Sequence, residues 1–520
     1  MKKRFDTLFL WSSLSFFLLF ISTPALGQYY NYPINSYSQY FLEQGDSTLN
    51  GSFRSLPESW YELNGVRGYT DETYYSELGE KLFNDHLISL EKDDFQVYID
   101  LLLHFEVGRE FSDTTSYSDT TLLYRNMRGF SVKGNIGKKV SFETTFREIQ
   151  STLPRYLYDY TEQSGVVPGQ GRTKPFANGA FDHNIAEGYV SYEAAEWLNI
   201  QFGSQRNFIG SGRRSLLLSD NAFTYPQVKL NSRFLDGRLR YHVIQAWLQT
   251  LDRLPRGDSP ESLFAPKSGS FKYLEFQPID EVSIGLFEGF IWDGFDALEG
   301  TKSPPLEAYL PIIGLNSVLD GLTGEDSNGL IGFDVVVKPI QGIKVFGQYA
   351  ADGKDQNGYQ LGARTNSLLL EGLSINLEYN STTASAYGAS NPALAYTHYN
   401  QPLAHPMGSG FSETRLDLLY FYKRLFLDAS IVNAQTSSKS DLGYTGDQLF
   451  TALEENGFDL KERDLFHIDA RIGYFFNPKS NFNAYLGWMY RTENRGTIDD
   501  RFNMFKFGIE MSLMNTYEDF

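Results

Sequence analysis

The stretch FQVYIDLLLHFEV, residues 95–107, alternates apolar and polar side chains with a period of two. Every second residue from Phe95 to Val107 is apolar. Most positions between them are polar, namely Gln96, Asp100, His104 and Glu106. Successive side chains of a strand point to opposite sides, so this pattern predicts a β-strand with one apolar face. The same alternation recurs in the runs that begin at Phe333, Leu373, Phe466, Phe482 and Phe505.

The connections between these runs alternate between short turns and long loops. Short turns occur at Gly137-Lys138 and Asp236-Gly237, and long Gly-, Ser-, Asn- and Pro-rich loops occur at about 150–185 and 292–328. This arrangement is typical of outer-membrane barrels with an even number of strands. The pattern therefore predicts an all-β fold, a transmembrane antiparallel β-barrel of about 18 strands over residues 95–520. The alternative is a large soluble sandwich or propeller, but no blade-length repeat is visible.

Residues 1–27 have the features of a secretory signal peptide. Basic residues precede an apolar stretch at 8–21, and a small-x-small cleavage site follows. Residues 28–94 are predicted to form an N-terminal periplasmic segment, in which helical spacing within 71–90 indicates one short helix. Phe520 resembles the terminal aromatic residue of barrel insertion signals. The predicted location is the outer membrane, with membrane lipid around the barrel.

The formal net charge of −19 bears on the class of partner. No basic stripe offsets this negative field, so nucleic acid is not expected as a partner. The seven His residues show neither nucleophile-elbow nor zinc-ligand spacing. His183 beside Asp182 is interpreted as a solvated loop pair, and His398 with His405 is a weak metal candidate. We therefore predict no enzyme activity, no metal site and no cofactor.

Two adjacent arginines, Arg213 and Arg214, lie in the stretch GSQRNFIGSGRRSLLLSD, residues 203–220. The stretch follows a predicted strand that rises to the long-loop side, so it is placed at the outer mouth of the barrel. A membrane-facing Arg near the bilayer midplane costs about 2–4 kcal/mol. Both side chains are therefore predicted to point into the lumen or the mouth.

Two roles remain open for this Arg pair. In the first, the guanidinium groups pair with lumen carboxylates and clamp a folded-in loop, with the Leu triplet that follows them buried beneath it. In the second, the same groups recognise an acidic ligand. The candidate residues for either role are Arg206, Arg213, Arg214, Asp220, Arg172 and Lys174.

Four longer stretches resemble a known family. They are RGFSVKGNIGKKVSFETTFRE from Arg128, VVPGQGRTKPF from Val166, FDHNIAEGYVSYEAAEWLNIQFGSQRNFIGSGRRSLLLSDNAFTYP from Phe181 and HYNQPLAHPMGSGF from His398. Together they are similar to the Wzi-type capsule assembly proteins, in the long form of the RemB-like gliding-motility proteins. The resemblance implies an outer-membrane barrel with a periplasmic helical N-terminal part, associated with surface polysaccharide. It supplies no catalytic motif.

Three function classes follow from the residues and the resemblance. The leading one is a non-enzymatic outer-membrane barrel that binds or anchors surface or capsular polysaccharide and supports capsule assembly. The second is an accessory of gliding motility or protein secretion that contacts a partner protein. The third is a substrate-selective channel, for which Arg residues facing lumen carboxylates would form a constriction.

Overall fold

The computed structural model describes residues 30–44, 51–60, 76–92, 94–112, 122–254, 263–296, 300–353, 356–389, 391–436, 463–495 and 498–520. The predicted signal peptide and most of the loop predicted at 435–464 lie outside these residues. Within them, no helix is both long and apolar enough to cross a membrane.

Eighteen antiparallel strands among the described residues form a closed barrel. In chain order they are β1 Phe95–Glu110, β2 Leu123–Ile136, β3 Val140–Thr152, β4 Phe181–Ala195, β5 Leu198–Gln205, β6 Tyr225–Phe234, β7 Leu239–Arg253, β8 Phe264–Ile279, β9 Val282–Asp293, β10 Ser327–Ile340, β11 Ile343–Gly353, β12 Gln356–Asn366, β13 Leu373–Thr382, β14 Phe411–Tyr422, β15 Leu425–Thr436, β16 Arg463–Asn477, β17 Phe482–Arg495 and β18 Ile498–Glu510. Each strand pairs with the next, and β18 returns to β1, from His104 opposite Glu510 to Glu110 opposite Met504. The predicted antiparallel barrel of 18 strands is confirmed.

Shorter elements connect the strands or precede them. The helices are α1 Ser36–Gln44, α2 Glu77–Phe83, α3 Arg155–Ser164 and α4 Leu315–Leu319, with 3-10 turns at Glu58–Trp60, Ala177–Gly179, Leu306–Tyr309 and Pro392–Leu394. The short strands are Ile88–Lys92, Val166–Val167, Gly171–Arg172, Lys174–Pro175, Phe295–Asp296, Gly300–Thr301, Thr397–His398 and Gln401–Pro402.

The two faces of the barrel wall differ in polarity, as the alternation predicts. Outward side chains are largely apolar and exposed, as with Leu286 in β9 and its neighbour Phe333 in β10. Inward side chains are often polar, and Gln227, Lys229 and Asn231 of β6 are fully buried in the interior. An apolar outer band and a polar interior are typical of barrels that span an outer membrane.

Three chain segments fill the lumen. The N-terminal plug comprises residues 30–44 and 51–60, the in-folded loop comprises residues 206–224, and the C-terminal tail comprises residues 511–520. Because inward-facing wall residues contact all three segments, the interior is packed with protein from distant parts of the chain. One apolar cluster contains residues of all three segments, among them Phe53, Leu216, Leu217, Leu218 and Phe520.

The segment predicted as periplasmic falls into two parts that the structure places differently. Its described residues 30–44 and 51–60 lie inside the barrel, where Lys229 Nζ of the wall donates to the carbonyl of Ser55 (2.9 Å). The helix predicted within 71–90 is shorter, because residues 88–92 form a strand paired with the start of β1. A domain boundary at residue 95 stays a prediction.

Phe520 does not occupy the end of the last strand. The chain leaves the wall at Met511, whose N–H donates to the carbonyl of Leu103 in β1 (2.7 Å), and turns into the lumen. There the Phe520 ring lies 5.0 Å from the ring of Tyr160 in α3. Its position therefore differs from that of a lipid-facing terminal aromatic residue.

Candidate functional site

The in-folded loop is shaped by local hydrogen bonds and by glycine. The hydroxyl of Ser215 accepts from the N–H groups of Leu217 (3.1 Å) and Leu218 (3.3 Å), which turns the Leu triplet inward. Gly210 has a φ of 143°, and a Cβ there would lie 2.7 Å from the amide nitrogen of Gln348. A side chain at this position would be strained, since the loop passes so close to the wall.

Arg214 lies between two carboxylates in the interior. Its Nη2 is 3.0 Å from Oε1 of Glu413 in β14 and 2.9 Å from Oδ1 of Asp519 in the C-terminal tail. Burial would lower the pKa of Arg214, but Asp519 and Glu413 outweigh this effect and raise it. Burial would likewise raise the pKa of Asp519, but Arg214 and Arg415 hold it well below its usual range. Arg214 therefore joins the wall, the loop and the tail.

The neighbouring Arg213 is placed differently. The N–H groups of Arg213 and Arg214 both donate to the Glu378 carboxylate, at 2.7 and 3.1 Å. The Arg213 side chain has a looser ionic contact, with its Nε 3.7 Å from Oδ2 of Asp417. Burial lowers the pKa of Arg213. The adjacent arginines thus share a backbone anchor while their side chains meet different carboxylates.

Arg206 and Asp220 lie at the two ends of the loop and tie it to other segments. Nε of Arg206 donates to Oε1 of Glu187 in β4 (2.9 Å). The Asp220 carboxylate accepts from the side-chain amide of Asn515 (2.8 Å) and from the hydroxyl of Tyr517. The predicted residues Arg206, Arg214 and Asp220 are therefore buried in the interior, and Arg213 is half-buried beside them.

Arg172 and Lys174 are not part of that interior, because both are exposed on the long-loop side. The guanidinium carbon of Arg172 is 5.1 Å from the ring centroid of Phe264, and that of Arg253 is 4.9 Å from the same ring. Phe176 is 45% exposed nearby in the chain. We call Arg172, Lys174, Phe176, Arg253 and Phe264 the mouth patch.

Sequence reasoning missed the contribution of the N-terminal plug. Arg54 donates to the carbonyl of Gly210 through Nε (2.9 Å) and to that of Gly212 through Nη2. Glu43 contacts Nζ of Lys344 (2.5 Å) and Nη1 of Arg364 (3.0 Å). Within the plug, Tyr37, Tyr40 and Phe41 recur at helical spacing in α1, but such spacing does not indicate that a segment enters a barrel.

Burial and neighbouring charges shift the pKa values of these two plug residues. Burial lowers the pKa of Arg54 to about 10. For Glu43, burial would raise the pKa, but the charges of Arg364 and Lys344 outweigh it and hold the pKa well below its usual range. Both plug residues are thus charged at neutral pH.

A cavity of about 170 Å³ remains between the loop, the tail and the wall. Its lining is mixed in charge, and includes Arg213, Arg415, Arg471, Asp417, Asp428 and Asp469. Within the part of the chain that the structure describes, no three His, Asp or Glu side chains are grouped to hold a metal ion.

The His residues considered in the sequence are separated from one another. His183 faces inward and its Nε2 lies 3.1 Å from Oε1 of Gln170, while the adjacent Asp182 points to the other face of β4. Nδ1 of His398 accepts from the N–H of Gln249 (3.1 Å), and Nε2 of His405 contacts Glu413 (2.8 Å). Burial lowers the pKa of His398 to about 3 and also lowers that of His405.

Comparison with known proteins identifies the family. The family model described as capsule assembly protein Wzi matches residues 106–495. Among solved structures, the chain is similar to Wzi from Escherichia coli, described as an outer membrane protein involved in group 1 capsule assembly and a carbohydrate-binding β-barrel. The identity is 13% and the TM-score 0.55, over 94% of this chain and 100% of the other.

Other matches are weaker. OprD from Pseudomonas aeruginosa has 11% identity and a TM-score of 0.42, over 82% of this chain and 98% of that chain. A BenF-like porin from Pseudomonas fluorescens has 11% identity and a TM-score of 0.44, over 80% and 98%. No curated protein matches by sequence. Because the family model covers most of the barrel, the chain belongs to the Wzi capsule assembly protein family.

Proposed function

We propose that this protein resides in the outer membrane and holds surface or capsular polysaccharide at the cell exterior, in support of capsule assembly. Membership of the Wzi family, over residues 106–495, is the observation that carries the proposal. The exposed apolar wall supports the membrane location.

The mouth patch is the surface that we assign to the polysaccharide. Arg172 and Lys174 are exposed cations in a chain of net charge −19, so they form a local exception to its negative field. The exposed ring of Phe176 offers a flat apolar face for the C–H face of a sugar, and guanidinium groups bind carboxylates in bidentate geometry. An acidic polysaccharide is the polymer that this chemistry favours.

The interior arginines have a structural role in this proposal. Arg206, Arg213 and Arg214 have protein carboxylates beside them, so a ligand would have to displace those contacts. The filled lumen also argues against the third alternative, a substrate-selective channel. A role in gliding motility or secretion, through a partner protein, remains a second hypothesis.

The test compares two matched double variants in a strain that lacks the chromosomal gene. One carries Arg172→Ala and Lys174→Ala, and the other carries Arg213→Ala and Arg214→Ala. Cell-attached and released polysaccharide are measured in each strain, with total polymer and the amount of folded barrel as controls. We expect the deletion strain and the mouth-patch variant to release polymer while the total is unchanged.

The outcomes separate the hypotheses. If the deletion leaves the attached fraction unchanged, the polysaccharide function is wrong and a protein partner becomes the better hypothesis. If the deletion releases polymer but the mouth-patch variant restores attachment fully, the function stands and the assigned surface is wrong. If the Arg213/Arg214 variant is folded and also fails to restore attachment, the interior pair contributes to retention.

A further inference from the structure

The outer wall carries a polar patch where an apolar one is expected. In β8, Tyr273 and Glu275 contact the lumen, through Asp334 and the N–H of Ser52 respectively. Side chains alternate along a strand, so Lys272 points outward, toward the membrane. The residue opposite it in β9 is Glu288, which points the same way.

Lys272 and Glu288 form an ion pair on this outer face, with Nζ and Oε2 3.1 Å apart. The two residues are only 0% and 1% exposed, respectively. Burying two charges costs several kcal/mol per ion unless they are paired and hydrogen-bonded, so something must cover and satisfy them. The covering segment is residues 302–322, which we call the flap.

The backbone of the flap and the hydroxyl of Ser317 form hydrogen bonds with the polar patch. Nζ of Lys272 donates to the carbonyl of Ile312 (3.1 Å). Oε1 of Glu288 accepts from the N–H (3.0 Å) and the hydroxyl (2.8 Å) of Ser317. The carbonyl of Ala308 accepts from the outward-facing Gln245 (2.6 Å) and Ser270 (3.0 Å). The flap therefore lies against the outside of the barrel.

The contacts between the flap and the wall lie at the height of the apolar band of the barrel. The outward apolar row Phe276 opposite Ile284 lies one pair above Ile279 opposite Val282, the apolar pair at the short turn that joins β8 to β9. Strands rise about 3.3 Å per residue and tilt about 40°, so one residue adds about 2.5 Å of height. Lys272 is thus about 10 Å and Ser270 about 15 Å above that row, whereas the apolar band of such barrels is about 25 Å tall.

The outer side of the flap is apolar. Leu306 is 76% and Val318 81% exposed, and the other exposed apolar residues are Tyr309, Leu310, Ile312 and Leu319. The flanking strands show the same type of surface, with Trp247 of β7 and Phe333 of β10 exposed on the same outer face. The apolar wall is therefore continuous across the flap.

We propose that the flap is a re-entrant segment embedded in the outer membrane, where its apolar side contacts lipid acyl chains and its polar side shields the Lys272–Glu288 pair. We assign this contact to lipid acyl chains because the flap lies at the depth of the acyl chains and continues the lipid-facing wall. A flap in water would instead leave a cluster of large apolar side chains exposed at the cell surface.

Site-directed spin labelling tests the proposal, since the chain contains no Cys and single-Cys variants have no background. The full chain is reconstituted at a high ratio of lipid to protein with Val318→Cys or, at the other end of the flap, Leu306→Cys. Phe333→Cys is the control on the lipid-facing wall, and Lys138→Cys, in the exposed turn between β2 and β3, is the control in water. Collision rates with oxygen and with a water-soluble nickel chelate are measured for each label.

We expect the oxygen-to-nickel ratio at Val318 and Leu306 to match that at Phe333 and to exceed that at Lys138. A ratio that matches Lys138 at both flap positions would overturn the proposal and place the flap in water. Dipolar broadening between labels that persists on further dilution with lipid would also overturn it, because a second copy of the chain would then cover the surface.

Discussion

The guanidinium of Arg214 stabilises two buried carboxylates that come from distant parts of the chain. Arg214→Ala would leave Glu413 with His405 and the amide of Asn380 beside it but without the guanidinium charge. Removing one partner of a buried pair costs about 3–5 kcal/mol. We expect a loss of this size in the free energy of unfolding, measured by urea titration of the detergent-solubilised protein with Trp fluorescence.

Arg172→Ala is the matched control for that measurement. Arg172 is exposed and has no buried carboxylate beside it in the described residues, so we expect a change below about 0.5 kcal/mol. Equal losses for the two variants would contradict the assignment of Arg214 to the interior.

The carboxylate of Asp519 makes the attachment of the C-terminal tail sensitive to pH. Its pKa is lowered in the folded protein, so its contribution to stability is complete above the unfolded value of about 3.9 and is lost as the pH falls below it. A spin label on the exposed residue 516, in the variant Thr516→Cys, should be immobile at neutral pH and become mobile in acid.

A variant that removes the charge provides the control. Asp519→Asn should make the label at residue 516 mobile at neutral pH as well, because Arg214 and Arg415 lose their shared anion. A label that stays immobile in the Asn variant and in acid would show that the tail is held without the charge of Asp519.

The strands β8 and β9 and the flap are coupled through one ion pair. Glu288→Gln leaves Lys272 without its carboxylate partner beneath the flap, and removing one partner of a buried pair costs about 3–5 kcal/mol. The double variant Lys272→Met/Glu288→Leu leaves neither charge, so we expect it to recover most of that loss. The temperature at which the compact barrel band converts to the unfolded band in a detergent gel measures both effects, and additive losses would argue against direct coupling.

The strands could be predicted from the sequence because each one is a local pattern. The segments that fill the lumen could not be predicted. Alternation in residues 95–107 identifies β1 without knowledge of any other residue. Arg213 and Arg214 could be placed in the interior or the mouth from the cost of facing lipid. Asp519, the partner of Arg214, follows the last strand in a stretch without periodicity, so no spacing connects the two residues.

The flap could not be predicted from the sequence. Residues 302–322 belong to a stretch recognised only as a long loop, since apolar residues at irregular spacing indicate neither a helix nor a strand. Lys272 and Glu288, together with Ser270 and Gln245, interrupt the apolar faces of their strands, and this interruption is a signal in the sequence. It becomes interpretable only when the register places Lys272 and Glu288 opposite each other.

At the scale of the whole molecule, three segments of the chain occupy the lumen of the barrel. The N-terminal plug, the in-folded loop and the C-terminal tail leave cavities of about 170 and 210 Å³ between them, with Arg213 at the lining of the first and Arg206 at the lining of the second. We expect the intact protein in planar bilayers to carry no steady current. A variant that lacks residues 28–60 should conduct, because the wall would remain while part of the filling is gone.

The variant Arg213→Ala distinguishes a closed barrel from a selective channel. In a selective channel, this substitution would change the conductance or ion selectivity of the intact protein. In a closed barrel it should leave the current at the level of a bilayer without protein. A steady current from the wild type that Arg213→Ala alters would contradict the closed interior.

The contacts that fill the lumen join residues far apart in sequence, as with Arg214 and Asp519, separated by 305 positions, and Tyr37 and Asp428, separated by 391. Contacts of such long range form late in folding, because the entropic cost of closing a long loop must be overcome before the contact can stabilise the protein. Most strand pairs of the wall join neighbours in sequence and can therefore form before the interior settles. The closing pair of β18 with β1 is the exception, since His104 and Glu510 are as far apart in sequence as the interior partners. During biogenesis a newly inserted barrel would be leaky for a short time, and the decay of that leak would report the rate at which the interior assembles.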